Sequence, residues 1–173
     1  MGKSQQHKVL VIKYGGNAML DDGITEGILD KVSELSGNGY RVVIVHGGGP
    51  FIEDNLRMAG IESEFIAGHR KTTGEAMKYI EMALKGHVNS KLVRMLNKTG
   101  LKAVGLSGKD GDMVRVTRRY HTDEQGKQVD IGFVGDIEKI DPSLLNLLLD
   151  EGYVPVVSTI AAGEEGDDYN VNA

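Results

Sequence analysis

Two groups of glycines follow apolar runs in the first third of the chain. Gly15 and Gly16 come directly after the run VLVIKY, and glycines 47–49 come directly after RVVIVH. Loops without Cβ atoms let backbone N–H groups approach an anion, and a helix beginning at Pro50 would add its positive N-terminal end. Each group alone would equally fit a tight turn between a strand and a helix. Because both follow strands that we expect to be neighbours, we favour an anion site.

Two basic residues could hold that anion. Lys13 ends the first apolar run, where burying a lysine is costly unless its ammonium group reaches an anion or extends to solvent; we favour a phosphate or carboxylate partner. In the basic segment at 69–71, Arg70 suits a carboxylate best, because a guanidinium group can bind both oxygens. The alternative there is an ordinary basic surface cluster. Asn170 and Asn172 would point to one side of an extended segment, although this spacing alone is a weak signal.

Several other kinds of site lack the residues that they require. The sequence contains neither the Walker A motif nor the GxGxxG motif of dinucleotide-binding folds. It has no cysteine, which excludes a disulfide framework, a thiol nucleophile and a thiolate zinc site. The histidines show no metal-ligand spacing, and Asp110 and Asp112 fit a turn better than a calcium loop, so we predict no metal site. Ser107 lacks the context of a hydrolase nucleophile.

The composition is that of a folded domain. Of 173 residues, 40% are hydrophobic and 26% are charged, which allows a substantial core. The 24 glycines are about twice the usual share. A net charge of −5 argues against a protein that binds nucleic acid or anionic membranes through bulk charge. The polar start MGKSQQHK lacks a signal-peptide core and no apolar run approaches a membrane span, so we expect a soluble cytoplasmic protein.

Apolar periodicity predicts the elements that must position these residues. Short β-branched runs predict buried strands at 9–14, 41–46, 101–107 and 153–159, with Pro155 a mild objection to a central place for the last. Helical periodicity predicts helices at 24–36, 50–59, 73–97 and 144–149. Thr72 and Glu75 form a candidate capping box for the long helix. The apolar stripe of that helix consists of Met77, Ile80, Leu84, Val88, Leu92 and Leu96.

Strands that are apolar throughout and alternate with helices predict an α/β fold. We expect an open, mainly parallel sheet with helices on both faces, plus a β-hairpin at 113–140 that turns at 123–127 and lies outside the sheet. In such a sheet, ligands bind beyond the carboxyl ends of the strands. We find no repeat or linker that divides the chain. Its last segment, Asn-Val-Asn-Ala, follows no terminating element, and we expect a longer polypeptide.

Six segments, in order along nearly the whole chain, resemble the amino-acid kinase family and, within it, the kinases that act on N-acetylglutamate. They are VIKYGGNAM at 11–19, VIVHGGGP at 43–50, GHRKTT at 68–73, GLSGKDGD at 105–112, GFVGDI at 132–137 and the end of the chain from GYVPVVSTI to YNVNA. Lys71 departs from the pattern, because the family usually has an apolar residue there.

The resemblance implies an αβα sandwich that transfers the γ-phosphate of ATP, with Mg²⁺, to a carboxylate or carbamate. It implies three sets of site residues: catalytic Lys13, Gly16 and Gly48; nucleotide-phosphate contacts from Lys13, Gly15 and Gly16; and N-acetylglutamate contacts from Gly48, Gly49, Arg70, Asn170 and Asn172.

The resemblance also implies a division of labour. Residues 1–173 would form the amino-acid-binding domain, while the ATP-binding domain, with a second lysine and an organising aspartate, would lie outside this chain. The chain alone would be inactive, and two copies would form a homodimer through the long helix. Two other functions stay open: a module that captures an acylated amino acid without catalysis, and a sibling kinase for aspartate, glutamate, carbamate or an aminoadipate derivative.

Overall fold

The computed structural model describes residues 8–173; the polar start at residues 1–7, on which our expectation about signal peptides rests, lies outside them. The strands in the described part are β1 (Val9–Tyr14), β2 (Arg41–His46), β3 (Glu64–Ile66), β4 (His69–Lys71), β5 (Lys102–Ser107), β6 (Val114–Thr122), β7 (Gln128–Ile140), β8 (Tyr153–Ser158), β9 (Ile160–Gly163) and β10 (Asp168–Asn170).

The helices begin and end within one or two residues of the predicted positions. They are α1 (Asp22–Gly37), α2 (Gly49–Met58), α3 (Gly74–Glu81), α4 (Ser90–Lys98) and α5 (Ser143–Asp150). A π-helical segment, Met82–Asn89, joins α3 to α4, so that the three pieces form the long helix. Among the described residues, no helix has the length and apolarity that a membrane crossing requires.

The main sheet is parallel and has the strand order β1-β2-β8-β5. Residues alternate between its faces, because successive side chains of a strand point to opposite sides. Val42 and Ile44 of β2 pack with residues of α1 and α4, whereas Val43 packs on the other face with Leu149 of α5. The predicted α/β sheet with helices on both faces is therefore confirmed.

The predicted hairpin outside the main sheet is also confirmed, but it belongs to a larger unit. Strands β6 and β7 pair antiparallel, and β9 and β10 join them to close a small four-stranded barrel in the order β10-β7-β6-β9. We did not predict β9 and β10. With four and three residues, they are too short to show a period.

Two strand predictions need correction. Strand β1 is not buried throughout: it lies at an edge of the sheet, and Val11 on its open face is 68% exposed. Pro155 does lie in a central strand, against our objection. Strand β8 pairs with β5 along its whole length but with β2 only from Val156 onward, so Pro155 precedes the part with neighbours on both sides.

The apolar stripe of the long helix packs inside the domain. All six stripe residues are buried, in the two core clusters that face α2 and the main sheet. The stripe therefore gives no reason to expect a dimer.

The predicted capping box of Thr72 and Glu75 is wrong: Thr73 is the N-cap, and its Oγ1 accepts a hydrogen bond of 3.1 Å from Ala76 N. Thr72 is instead fully buried and bridges to the barrel.

That bridge predicts the effect of one substitution. Gly132 has φ of +78°, and a Cβ atom there would collide with the backbone oxygen of Thr72, which accepts a 2.7 Å hydrogen bond from Phe133 N. We expect Gly132→Ala to lower the free energy of unfolding by about 3 kcal/mol, combining left-handed strain with a backbone clash. Thermal melts should show a drop of about 6–12 °C.

Gly126→Ala is the matched control, since Gly126 has nearly the same φ of +80° but open space around its Cβ position. It should cost only the strain, about 1–2 kcal/mol. Equal losses in the two variants would show that the contact with Thr72 is unimportant for stability.

Candidate functional site

One cavity of about 300 Å³ lies beyond the carboxyl ends of β1, β2 and β8. Both glycine loops line it, together with the β3–β4 hairpin and the end of the described chain. Every site residue predicted from the sequence lies in its wall: Lys13, Gly15, Gly16, Gly48, Gly49, Arg70, Asn170 and Asn172. The geometry brings them together, while their binding and catalytic roles stay predictions.

Close packing explains some glycines of the two loops but not others. A Cβ atom on Gly16 would lie 2.9 Å from Pro50 Cδ, and one on Gly48 would lie 2.8 Å from Leu84 Cδ2, so close packing explains both. Around Gly15 and Gly49, in contrast, no described atom lies within 4 Å of a Cβ position. Packing does not explain those two glycines. Both are exposed, so their backbone is open to a ligand.

The N-terminus of α2 opens into the cavity. Gly48 is its N-cap, Pro50 lies in its first turn, and its first backbone hydrogen bond runs 2.9 Å from Ile52 N to Gly48 O. The amide groups before Ile52 therefore have no acceptor within the helix. They and the helix dipole give this end of the cavity a positive potential.

Lys13 reaches the cavity from an exposed position. Because β1 is an edge strand, the side chain alternates onto the open face, and our argument from the cost of burial was wrong. What supports a charge role is the cavity wall itself. It contains Lys13, Arg70 and His69 and, among the described residues, neither an aspartate nor a glutamate. An anionic ligand fits this wall best.

Arg70 is more deeply placed than we expected. It lies on β4, its side chain is 8% exposed, and its guanidinium carbon lies 4.6 Å from the centre of the Phe65 ring. Nη1 donates 2.7 Å to Glu53 Oε2 and also to Ser63 Oγ. Arg70 is therefore not part of an exposed basic cluster, and its contacts connect β4 to other parts of the fold. Within the described chain its hydrogen bonds use Nη1, which leaves Nε and Nη2 for a ligand.

The same contact makes stability depend on pH. The hydrogen bond from Arg70 lowers the pKa of Glu53 below its usual range, and the contact with Ser63 adds to this. Because Glu53 gives up its proton more readily in the folded chain than in the unfolded one, its carboxylate stabilises the fold at pH values above the pKa of the unfolded state. This contribution is lost as the pH falls through the pKa of the folded state. We expect Glu53→Gln to melt below the unchanged chain at pH 7, and the gap between their melting temperatures to close on acidification below pH 4. A gap independent of pH would contradict this origin.

Sequence reasoning missed the β3–β4 hairpin, which carries part of the cavity wall. Its two-residue turn, Ala67 and Gly68, has φ of +48° and +80°, as tight hairpin turns require. Phe65 of this hairpin lines the cavity beneath Arg70. The signal was present as apolar residues followed by Ala-Gly, but the strands have only three residues each.

The residues considered for other chemistry have structural contacts. Asp110 Oδ2 accepts hydrogen bonds from Lys85 Nζ at 2.9 Å and from Ser107 N at 2.7 Å. Asp112 pairs instead with Arg115. The two carboxylates thus bind different cations, as expected for a turn.

The sequence is similar to a family of kinases. The family model "Amino acid kinase family" matches residues 8–173. The chain is 48% identical over 166 residues to an acetylglutamate kinase of Chromobacterium violaceum, and 43% identical over 170 residues to one of Pelotomaculum thermopropionicum. Each match covers 96% of this chain but only 57% and 58% of the relative. The chain therefore spans little more than half the length of these relatives.

Solved structures agree on the fold. A protein of Streptococcus mutans superposes with a TM-score of 0.81 at 26% identity, covering 95% of this chain and 64% of that one. An N-acetylglutamate synthase of Neisseria gonorrhoeae superposes with a TM-score of 0.75 at 22% identity, covering 95% and 36%. The matched residues include both glycine loops and the whole cavity wall, and the chain belongs to the amino acid kinase family.

Proposed function

We propose that this chain is the amino-acid-binding part of an acetylglutamate kinase, which transfers the γ-phosphate of ATP to the side-chain carboxylate of N-acetyl-L-glutamate in arginine biosynthesis. The observation that carries the proposal is the cavity in whose wall all eight predicted site residues lie. N-acetylglutamate has two carboxylates, and the wall offers two permanent cations. We assign Arg70 to the carboxylate that does not react and Lys13 to the phosphoryl group that is transferred to the other carboxylate.

The amide side chains suit the remaining polar atoms of this ligand. Asn170 and Asn172 lie in the cavity wall at the end of β10, where they can hydrogen-bond the acetamido group. Gly48 and Gly49 offer backbone N–H groups at the N-terminus of α2. Such donors stabilise the charge that grows on the transferring phosphoryl group.

The reaction needs few catalytic side chains. A carboxylate with a pKa near 4 is already ionised at pH 7, so the nucleophile requires no general base. Phosphoryl transfer then depends on alignment and on positive charge around the transferring group. The glycine loops and Lys13 provide both, which explains why the cavity wall needs neither a cysteine nor a serine nucleophile.

ATP and Mg²⁺ fit this site only in part. Lys13, Gly15 and Gly16 can hold the transferring phosphoryl group, and bound Mg²⁺ would neutralise charge on the ATP phosphates. No group of three or more metal-ligating side chains occurs among residues 8–173. We propose that the rest of the nucleotide is bound by polypeptide outside this chain, and that residues 1–173 alone bind N-acetylglutamate without phosphorylating it.

Acyl phosphate formation tests the function. The longer protein should be assayed with ATP, Mg²⁺ and hydroxylamine, which converts an acyl phosphate to a hydroxamate, for N-acetylglutamate, glutamate, aspartate, carbamate and N-acetyl-aminoadipate. We expect the highest kcat/KM with N-acetylglutamate. A higher value with another acid would make the protein a sibling kinase. No product with any acid would favour a binding module.

We also propose a homodimer, formed along the long helix on the side away from its buried stripe. There, α4 lies beside β5, whose outer edge has no partner strand in the described chain. A free edge commonly pairs with another chain unless it is protected. Light scattering at micromolar concentration should give twice the 18.7 kDa mass of the chain. A monomer under those conditions would rule the dimer out.

A further inference from the structure

The π-helical segment Met82–Asn89 supports the second glycine loop from beneath. Wide π-turns inside an α-helix are rare and occur frequently near functional sites. Here, two side chains of the segment pack on Gly48: its Cβ position lies 2.8 Å from Leu84 Cδ2 and 3.3 Å from Val88 Cγ2. Both side chains are fully buried. The backbone of the glycine loop thus packs against two buried apolar side chains.

The last residue of the segment adds a polar link to the same loop. Asn89 is 2% exposed, and its Nδ2 lies 2.9 Å from His46 Nε2 and 2.8 Å from Val156 O. The other ring nitrogen, His46 Nδ1, lies 2.9 Å from Gly47 O. His46 itself is 0% exposed. Asn89 therefore reaches the glycine loop through the imidazole ring, while it also holds the neighbouring strand β8.

These contacts define the state of the ring. Gly47 O can only accept, so Nδ1 carries the proton, and in a neutral ring Nε2 is then the acceptor for Asn89 Nδ2. Burial lowers the pKa of His46 by more than the hydrogen bond to Gly47 raises it, and the charge of Lys85 adds to the lowering. The ring is thus neutral, with one tautomer selected by its two partners.

We propose that His46 and Asn89 are positioning residues, which hold glycines 47–49 in the conformation that presents their backbone N–H groups to the anionic ligand. The hydrogen bond from Nδ1–H to Gly47 O is the contact that orients the first peptide of the loop. The bond from Asn89 to Nε2 selects the tautomer that makes it. Neither side chain lines the cavity. For the identity of the ligand, this inference rests on the proposed function.

Two substitutions of His46 separate positioning from simple packing. Asparagine places an amide near the position of Nδ1 and can still donate to Gly47 O, but it loses the contact with Asn89. Glutamine places an amide near the position of Nε2 and can still accept from Asn89, but it loses the donor to Gly47. If positioning of the loop matters, His46→Asn should therefore be the milder change, even though it leaves the larger void.

The experiment combines ligand binding with ¹⁵N NMR on the chain of residues 1–173. In the unchanged chain, the imidazole nitrogens of His46, assigned by their loss in His46→Gln, should show the Nδ1–H tautomer and a pKa below that of an ordinary histidine. His46→Gln should weaken N-acetylglutamate binding about tenfold, the scale of one lost hydrogen bond, and shift the amide signals of glycines 47–49. His46→Asn should stay within about threefold of the unchanged chain.

An Nε2–H tautomer in the unchanged chain would overturn the proposal, and so would equal losses in the two variants or a larger loss in His46→Asn. Asn89→Ala is the second test if the His46 variants do not fold. It should move the tautomer equilibrium toward Nε2–H and shift the loop amides; no change in either would also overturn the proposal. If the unchanged chain binds no N-acetylglutamate, the proposed function fails, whereas the tautomer and the loop amides still decide this inference.

Discussion

In the longer protein, Lys13→Ala is expected to lower turnover about 10²- to 10³-fold, the usual loss when one donor to a developing charge is removed. Lys13 extends from the edge strand into a cavity wall that contains, among the described residues, no aspartate or glutamate to neutralise it. Its proposed partner is the transferring phosphoryl group, so we expect the KM for N-acetylglutamate to change far less than kcat. Steady-state kinetics with varied N-acetylglutamate measure both.

Lys71→Ala is the matched control for charge removal. Lys71 is also an exposed lysine, but it lies outside the cavity wall and pairs with Glu64 at 2.8 Å. Its loss should leave turnover within about twofold, since a surface ion pair contributes little. If Lys13→Ala kept the turnover of the unchanged protein, Lys13 would have no part in the reaction.

Arg70→Ala is expected to weaken the binding of N-acetylglutamate by about 2–4 kcal/mol, the typical loss when one member of a desolvated charge pair is removed. The guanidinium group is buried, and Phe65 lies against it, so water screens it poorly. The variant should also melt at a lower temperature, because Glu53 and Ser63 lose their common partner. Calorimetry at a temperature where circular dichroism shows a folded variant separates the two effects.

Glu53→Gln controls for the loss of fold support. It removes the ion pair with Arg70 but keeps the guanidinium group, and we expect its affinity for N-acetylglutamate to stay within a few-fold of the unchanged chain. An Arg70→Ala variant with unchanged affinity would assign Arg70 to stability alone.

The parts of this fold that could be predicted are those with a long period or a backbone requirement. Six apolar residues at helical spacing identified the long helix, and all six are buried. The continuous apolar runs identified the four strands of the parallel sheet. Since ligands bind beyond the carboxyl ends of such strands, the glycines that follow β1 and β2 located the cavity.

The remaining features depend on tertiary contacts that a sequence does not display. The prediction that β1 is buried failed because a strand is buried only when both faces of the sheet are covered at that position. The described chain leaves the face of Val11 uncovered. The capping box failed because Thr72 is held by the barrel, through the bond from its N–H to Ile131 O, which moves the cap to Thr73. Strands of three or four residues close the barrel and form the β3–β4 hairpin, and they carry too few residues for a pattern.

The environment of Arg70 shows the same limit at the level of one side chain. The residue type indicated a carboxylate, and the structure supplies one from within the chain, Glu53. Glu53 lies in α2, 17 positions earlier, and only the packing of the β3–β4 hairpin on α2 brings the two together. Contacts of this kind decide how much of the guanidinium group remains for a ligand.

Titration of ¹⁵N-labelled residues 1–173 with N-acetyl-L-glutamate, followed by amide NMR, tests the central claim most directly. We expect saturable shifts concentrated at Gly15, Gly16, Gly48, Gly49 and Arg70, and extending to Asn170 and Asn172 at the far wall. L-glutamate, which lacks the acetyl group, should bind more weakly at the same residues. Saturable shifts confined to residues outside this cavity, or none at millimolar ligand, would contradict the assignment of the cavity to N-acetylglutamate.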